Sequence, residues 1–341
     1  MMAEKILIVG PSWVGDMLMS QSLYRLLKAR QPDCQIDVLA PDWCRAVLER
    51  MPEVDNTVPM PVGHGRLQWK VRKQVAAGLK GRYDRALVLP NSLKSALIPW
   101  MAGIPVRTGW KGEMRYGLLT DLRPLDKKAF PLMVQRYIAL AQAPCASGKE
   151  LPEILRPELQ VDSAAQAVLK QSHGLSDNYI GLCPGAEFGP AKRWPDYHYA
   201  ELARQLIAAG FQVCIFGSAN DQAVSGQILE QLSEAEKQAC VDLCGKTSLQ
   251  AAIDLLAGAR AVVSNDSGLM HMAAALGTPL VALYGPTSPD FTPPLTDKVE
   301  VIRLIDGYIK IRKGDADQGY HQSMIDITPE SVFNAVEQQL S

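Results

Sequence analysis

The chain has 341 residues, 47% hydrophobic and 21% charged, which suits an ordinary soluble protein of about two domains. Its net charge of −1 conceals an asymmetry: residues 1–150 hold 22 Lys and Arg against 13 Asp and Glu (+9), and residues 151–341 hold 13 against 23 (−10). No apolar run reaches the ~20 residues of a membrane span, no nucleic-acid motif accompanies the basic half, and the seven scattered cysteines lack zinc-site spacing. These features predict free thiols in a reducing cytoplasm and no nucleic-acid partner.

The opening MMAEKILIVGPSW reads as a strand entering a turn, not as a signal peptide. Residues 5–10 form a buried-type strand, and a helical stripe through Met17, Leu18, Leu23, Leu26 and Leu27 follows, ending near Pro32. Gly10 and Gly15 have the spacing of a phosphate loop's glycines, yet Asp16 stands where that loop needs Lys, and GxGxxG is missing. A carboxylate therefore sits at a helix start, beside a strand's carboxyl end. An acidic first turn favoured by the helix dipole would look the same. Trp13, one turn earlier, suits stacking on a sugar or simple packing.

Further strands are expected at 36–40, 54–60, 86–89 and 103–107, with a helix at 44–50. Residues 63–85 form a basic helical segment holding His64, Arg66, Lys70, Arg72, Lys73, Lys80, Arg82 and Arg85. The strand at 86–89 ends in Pro90-Asn91-Ser92 with Lys94 beyond, and the one at 103–107 leads into a turn holding Lys111 and Arg115. A helix at 129–140 closes this half. Pro144, Pro152 and Pro157 mark residues 143–160 as a linker.

The alternation then restarts. Strands at 179–183 and 211–216 end in turns at 184–187 and 217–221, with a helix at 199–209 between them. Thr247-Ser248 cap the helix that begins at Leu249, and residues 261–289 read as strand, turn, helix, strand, turn. The first of these turns, Ser264-Asn265-Asp266-Ser267-Gly268, places backbone N–H groups at a positive dipole end, which suits a phosphate; an ordinary capped turn is the plainer reading. His271 lies one turn inside the helix, within reach of the same anion.

Strands alternating with helices predict an α/β fold of two Rossmann-like doubly wound parallel-sheet domains, 1–155 and 156–341, facing a central crevice. The last helix is placed in the second domain with the option of packing back on the first.

Three segments carry a family likeness: GPSWVGDMLMSQSLYRLL (10–27), PGAEFGPAKRWP (184–195) and SNDSGLMHMAAALGTPLVALYGPTSP (264–289). Together they resemble the bacterial ADP-heptose:lipopolysaccharide heptosyltransferases, glycosyltransferase family 9, across essentially the whole chain. PSWVGD and PNSLKSAL (90–97) look like the members that add the second heptose to the first. The resemblance implies an inverting glycosyltransferase of the GT-B fold, with Asp16 as general base and Lys192 as the catalytic cation at the donor. It assigns donor contacts to Asp266, Ser267, Gly268, Leu269, His271, Thr247, Ser248 and Glu187, and the ribose to Asp221 or its neighbour Asn220. On the acceptor side it points to Trp13, Asn91, Lys94, Lys111 and Arg115.

The implied partners are ADP-heptose and heptosyl-Kdo2-lipid A, reached from the cytoplasm by peripheral contact with the inner membrane, toward which the basic helical group would steer the protein. No cofactor and no metal are expected. Asp315-Ala316-Asp317 has the form of a metal-binding DxD but reads as a solvated loop between Gly314 and Gly319. Alternative readings are transfer to Kdo, a nucleotide-sugar epimerase of the same fold, and a non-catalytic nucleotide-sugar binding module.

Overall fold

A computed structural model describes residues 3–62, 66–187, 189–308 and 310–341. His64 and Phe188, named above in the basic and PGAEFGPAKRWP segments, lie outside them. The chain divides into two compact units, Met1–Leu159 and Gln160–Ser341.

The first unit runs β1 (Lys5–Val9), α1 (Val14–Arg30), β2 (Gln35–Ala40), α2 (Arg45–Leu48), β3 (Asn56–Pro59) and α3 (Trp69–Leu79). It continues through β4 (Arg85–Val88), α4 (Leu93–Met101), β5 (Val106–Trp110), β6 (Asp121–Arg123) and α5 (Met133–Ile138). In the second unit α6 (Ser163–Ser172), β7 (Tyr179–Cys183), α7 (Asp196–Ala208), β8 (Gln212–Ile215), α8 (Gln222–Glu230) and α9 (Glu234–Gln238) come first. After them come β9 (Cys240–Asp242), α10 (Leu249–Ala257), β10 (Ala261–Asn265), α11 (Gly268–Ala275) and β11 (Leu280–Tyr284). The chain ends with β12 (Val299–Arg303), α12 (Gln322–Ile325) and α13 (Pro329–Leu340).

Both sheets are parallel throughout, ordered β3-β2-β1-β4-β5-β6 and β12-β11-β10-β7-β8-β9. Counted within each unit, the two orders are the same doubly wound one. The central strands are buried on both faces, as a helix-covered parallel sheet requires: every residue of β7, β10 and β11 is buried, as are Ile6 to Val9 of β1. The outermost strands β6 and β12 are only partly buried. They lack the apolar runs that flag a central strand, so neither is among the strands expected from the sequence.

Other differences trace to prolines. The strand expected at 103–107 begins at Val106, because Pro105 cannot donate to a ladder. The helix expected at 129–140 shortens to α5 and the 3-10 turn Ala139–Ala141, since Pro131 holds Phe130 out of the helical region. The last helix, α13, packs on α7 and on β10, β11 and β12 of its own unit, adding Val332, Ala335 and Val336 to that core.

In each sheet the winding direction reverses between the first and fourth strands of the unit. These reversals, β1/β4 and β7/β10, are where ligands bind in open α/β sheets, outside the carboxyl ends. The turns that matter are therefore those after β1 and β4, and those after β7 and β10.

Candidate active site

At the second unit's reversal, Asn265 at the end of β10 is fully buried and ties four segments together. Its Oδ1 accepts from the Trp194 backbone N–H at 3.0 Å and the Tyr199 hydroxyl at 3.1 Å, while its Nδ2 donates to the Pro184 and Gly185 carbonyls at 2.8 and 3.4 Å. Trp194, also fully buried, donates its indole N–H to the Ile327 carbonyl at 2.8 Å and packs edge-on against Tyr199. The chain from β7 to α7 is thereby pinned on both sides of Lys192.

Lys192 Nζ lies 2.5 Å from Asp266 Oδ2, with 17% and 7% of the two side chains exposed. A largely desolvated pair of this kind is held by its surroundings, and removing one member strands the other. Ser267 and Gly268 follow at the start of α11, where N–H groups are unsatisfied by the helix; the Ser267 hydroxyl reaches Ser264 Oγ at 3.3 Å instead of capping. His271 is buried. Burial pushes its imidazole down to about 4, with the Asp266 charge opposing and Lys192 reinforcing, so at neutral pH it is a neutral hydrogen-bonding group and not a second cation. Leu269 is half-buried on the same turn and Glu187 is exposed beyond β7.

Asp221 sits after β8. Its Oδ2 accepts from the Ser218 N–H at 2.9 Å and hydroxyl at 2.8 Å, and Oδ1 lies 3.9 Å from Arg193. Gly185 and Gly217 have no side chains because this carboxylate occupies the space: a Cβ on either would collide with Asp221. Asp221 therefore locks the turns after β7 and β8 together, a duty invisible in the sequence, while its neighbour Asn220 is exposed. Ser248 caps α10 by accepting from Ala251 N–H at 3.2 Å, and Thr247 is half-buried beside it.

At the first unit's reversal Asp16 is half-buried in the first turn of α1. The Trp43 indole N–H donates to the Ser12 carbonyl at 2.7 Å and steadies the turn, while Trp13 is 49% exposed. Asn91 is exposed and Lys94 half-buried after β4. Lys111, exposed after β5, holds its ammonium 5.6 Å above the Tyr116 ring.

Two cations expected to meet ligands or membrane are structural. Arg115 is 1% exposed. Its Nε and Nη2 donate to the Trp110 carbonyl, Nη1 donates to the Pro90 and Ser92 carbonyls and Ser95 Oγ, and Nη2 also reaches Asn91 Oδ1. With every guanidinium nitrogen engaged, this residue clips the β5 turn to the start of α4 and is removed from the acceptor set. Glu113 completes the clip by accepting from Leu93 N–H at 2.7 Å. Arg72 is likewise buried, its guanidinium spent on the carbonyls of Leu67, Lys94 and Arg66. Around α3 the exposed basic residues are therefore Arg66, Lys70 and Lys73, with Lys80 and Arg82 exposed just beyond its end.

Among the described residues no group of three or more His, Cys, Asp or Glu is placed to hold a metal ion, and no helix is long and apolar enough to cross a membrane. Asp315 is exposed and accepts from Gln322 N–H; the Asp317 side chain lies outside the description.

A protein-family model described as glycosyltransferase family 9 (heptosyltransferase) matches residues 70–321. The chain is 59% identical to lipopolysaccharide heptosyltransferase 2 of Salmonella typhimurium over 343 residues, covering 99% of each. It is 59% identical to that of Escherichia coli K12 over 335 residues, covering 96% of each. The solved structure of E. coli ADP-heptose lipopolysaccharide heptosyltransferase II superposes with a TM-score of 0.90, at 55% identity over 98% of each chain.

Proposed function

The chain belongs to glycosyltransferase family 9, the heptosyltransferases, and from there we propose that it transfers heptose from ADP-heptose to the first heptose of the lipopolysaccharide inner core. The observation that carries this reading is the 59% identity over 99% of both chains with a heptosyltransferase 2. The two Rossmann-like units are those of the GT-B fold.

Asp16 is the general base. The acceptor hydroxyl oxygen forms a bond to the anomeric carbon from the face opposite ADP, its proton passes to the Asp16 carboxylate, and the bond from that carbon to the diphosphate oxygen breaks with its electron pair on ADP. Lys192 meets the charge that grows on the departing diphosphate, and the N–H groups at the start of α11 add their dipole. Asp266 holds that ammonium in place, as its 2.5 Å contact supports. No metal enters this scheme, so chelation should leave turnover intact. The donor set is Asp266, Ser267, Gly268, Leu269, His271, Thr247, Ser248, Glu187 and, through the turns it locks, Asp221. The acceptor set is Trp13, Asn91, Lys94 and Lys111. The protein works at the cytoplasmic face of the inner membrane, where its lipid-linked acceptor lies.

The test offers ADP-heptose to the purified protein with heptosyl-Kdo2-lipid A and, separately, with Kdo2-lipid A, reading products by mass. One heptose added to the heptosylated acceptor alone is expected. Product from Kdo2-lipid A alone would overturn the assignment in favour of first-heptose transfer, and turnover of ADP-heptose without acceptor would overturn transfer altogether.

A further inference from the structure

Tyr137, in α5, is 5% exposed, and α5 packs along α1. A buried phenol needs an acceptor for its proton. The one the structure supplies among the described residues is Asp16 Oδ1, at 3.5 Å. The neighbouring phenol of Tyr24 is engaged elsewhere, hydrogen-bonded to Ser20 Oγ at 2.8 Å and near Met17 Sδ at 3.6 Å. Helix α5 is itself held in place: Arg136 Nε donates to the Phe130 carbonyl at 2.8 Å, and the Trp110 indole N–H donates to the Arg136 carbonyl at 2.8 Å. The phenol is thus presented to the carboxylate by a fixed helix, across 121 residues of sequence.

We infer that Tyr137 is a positioning residue for the reaction: its hydroxyl donates to Asp16 Oδ1, fixes the rotation of the carboxylate and stabilises its ionised form. This rests on the reading of Asp16 as the base. A contact of 3.5 Å is long for O–H···O, but catalytic hydrogen bonds are often long before substrate arrives and shorten in the complex. Among the described residues the Tyr137 phenol on α5 and the Cys44 thiol just before α2 act on Asp16, and Tyr24 and Arg136 lie beside Tyr137. The Cys44 thiol stays neutral, pushed up to about 12 by burial and by the Asp16 charge. Tyr137 is pushed well above its ordinary range by burial first and Asp16 second, so it remains a proton donor at every working pH.

The sign follows. A donor to the carboxylate lowers the pH at which that carboxylate ionises. Removing the donor raises it, so the acidic limb of kcat/KM moves to higher pH while the alkaline limb stays.

The experiment measures pH profiles of kcat/KM for the intact protein, Tyr137→Phe, Asp16→Asn and the double variant, with ADP binding as a check on the donor unit. Phe keeps the ring and loses only the hydroxyl. Expected are a loss of about 3- to 10-fold near neutrality for Tyr137→Phe and an acidic limb raised by about half to one pH unit. In the Asp16→Asn background the same change should cost less than about 1.5-fold, because the group it acts through is gone. An unmoved limb, or the same loss in both backgrounds, would reduce Tyr137 to packing and overturn the proposal. Near-normal turnover in Asp16→Asn alone would instead overturn the base assignment on which it stands.

Discussion

The turns at the two sheet reversals are built on opposite plans. The side chains of the turn after β10 are braced: Asn265 is wholly buried with both ends of its amide engaged, and Lys192 and Asp266 are locked together at 2.5 Å. The turn after β1 is looser, with Asp16 half-buried, its hydroxyl partner at 3.5 Å, and Trp13 and Trp43 each about half exposed at 49% and 50%. The contrast fits the proposed ligands. A nucleotide diphosphate is small and charged, so dipoles fixed in advance stabilise the departing group without reorganising. A large glycolipid needs a surface with exposed rings and mobile cations, and needs a base that tightens only when the hydroxyl arrives.

Substitution on either side probes this contrast. The largest effect is expected from Asp16→Asn, which keeps the shape and cannot take the proton: turnover should fall by about 10²–10⁴-fold with donor affinity nearly unchanged. Lys192→Ala, on the preorganised side, should lower kcat by about 10²–10³-fold and weaken donor binding by less, since the charge it meets grows in the transition state. Equal losses of donor affinity and turnover would make Lys192 a ground-state anchor and blur the contrast between the two turns.

Stability separates the buried cations from the exposed ones. Arg115→Ala leaves the Pro90, Ser92 and Trp110 carbonyls short of a donor and should cost about 2–4 kcal/mol by denaturant unfolding. Lys111→Ala should leave stability within about 0.5 kcal/mol and raise acceptor KM instead. If the two variants unfold alike, Arg115 is no clip.

The buried His271 gives the donor unit a pH signature. Its folded-state value, about 4, lies below the ordinary 6.5, so the unfolded chain binds the extra proton. The stability from keeping the ring neutral is present above pH 6.5 and is lost as pH falls toward 4, by up to about 2 kcal/mol between pH 6.5 and 5. Urea unfolding across that window should show the loss, and His271→Gln should flatten it. A slope unchanged in the variant would place the titrating group elsewhere.

The smallest effect belongs to the exposed basic face. Lys70→Gln with Lys73→Gln should weaken binding to anionic vesicles by a few-fold at 0.1 M salt and not at all at 1 M, where the Debye length has shrunk from about 10 Å to about 3 Å. Arg72 must be left intact, because its guanidinium holds the carbonyls before α3 and the Lys94 carbonyl. Vesicle binding that the double variant leaves unchanged at low salt would remove this face from membrane contact.

The sequence by itself determined the α/β alternation, both sheets' central strands and the turns worth watching. It could do so because buried parallel strands are short apolar runs, and the turns after them need Gly, Ser, Asp and Asn for local reasons of capping and backbone geometry. It also drew attention to Asp266 and Asp16 through SNDSG and a phosphate-loop spacing that lacks its lysine, while Lys192 came in only through the family resemblance that KRWP carries. Only the tertiary structure decided which polar side chains face inward. Arg115 and Lys111 stand in the same turn, and nothing local separates a guanidinium that finds carbonyls at 90, 92 and 110 from an ammonium that stays in water. Asp221 became the wedge between Gly185 and Gly217, and Tyr137 the neighbour of Asp16, because strands and helices distant in sequence were brought side by side. Burial and partner geometry are set by those long-range contacts, and a residue's type and spacing do not contain them.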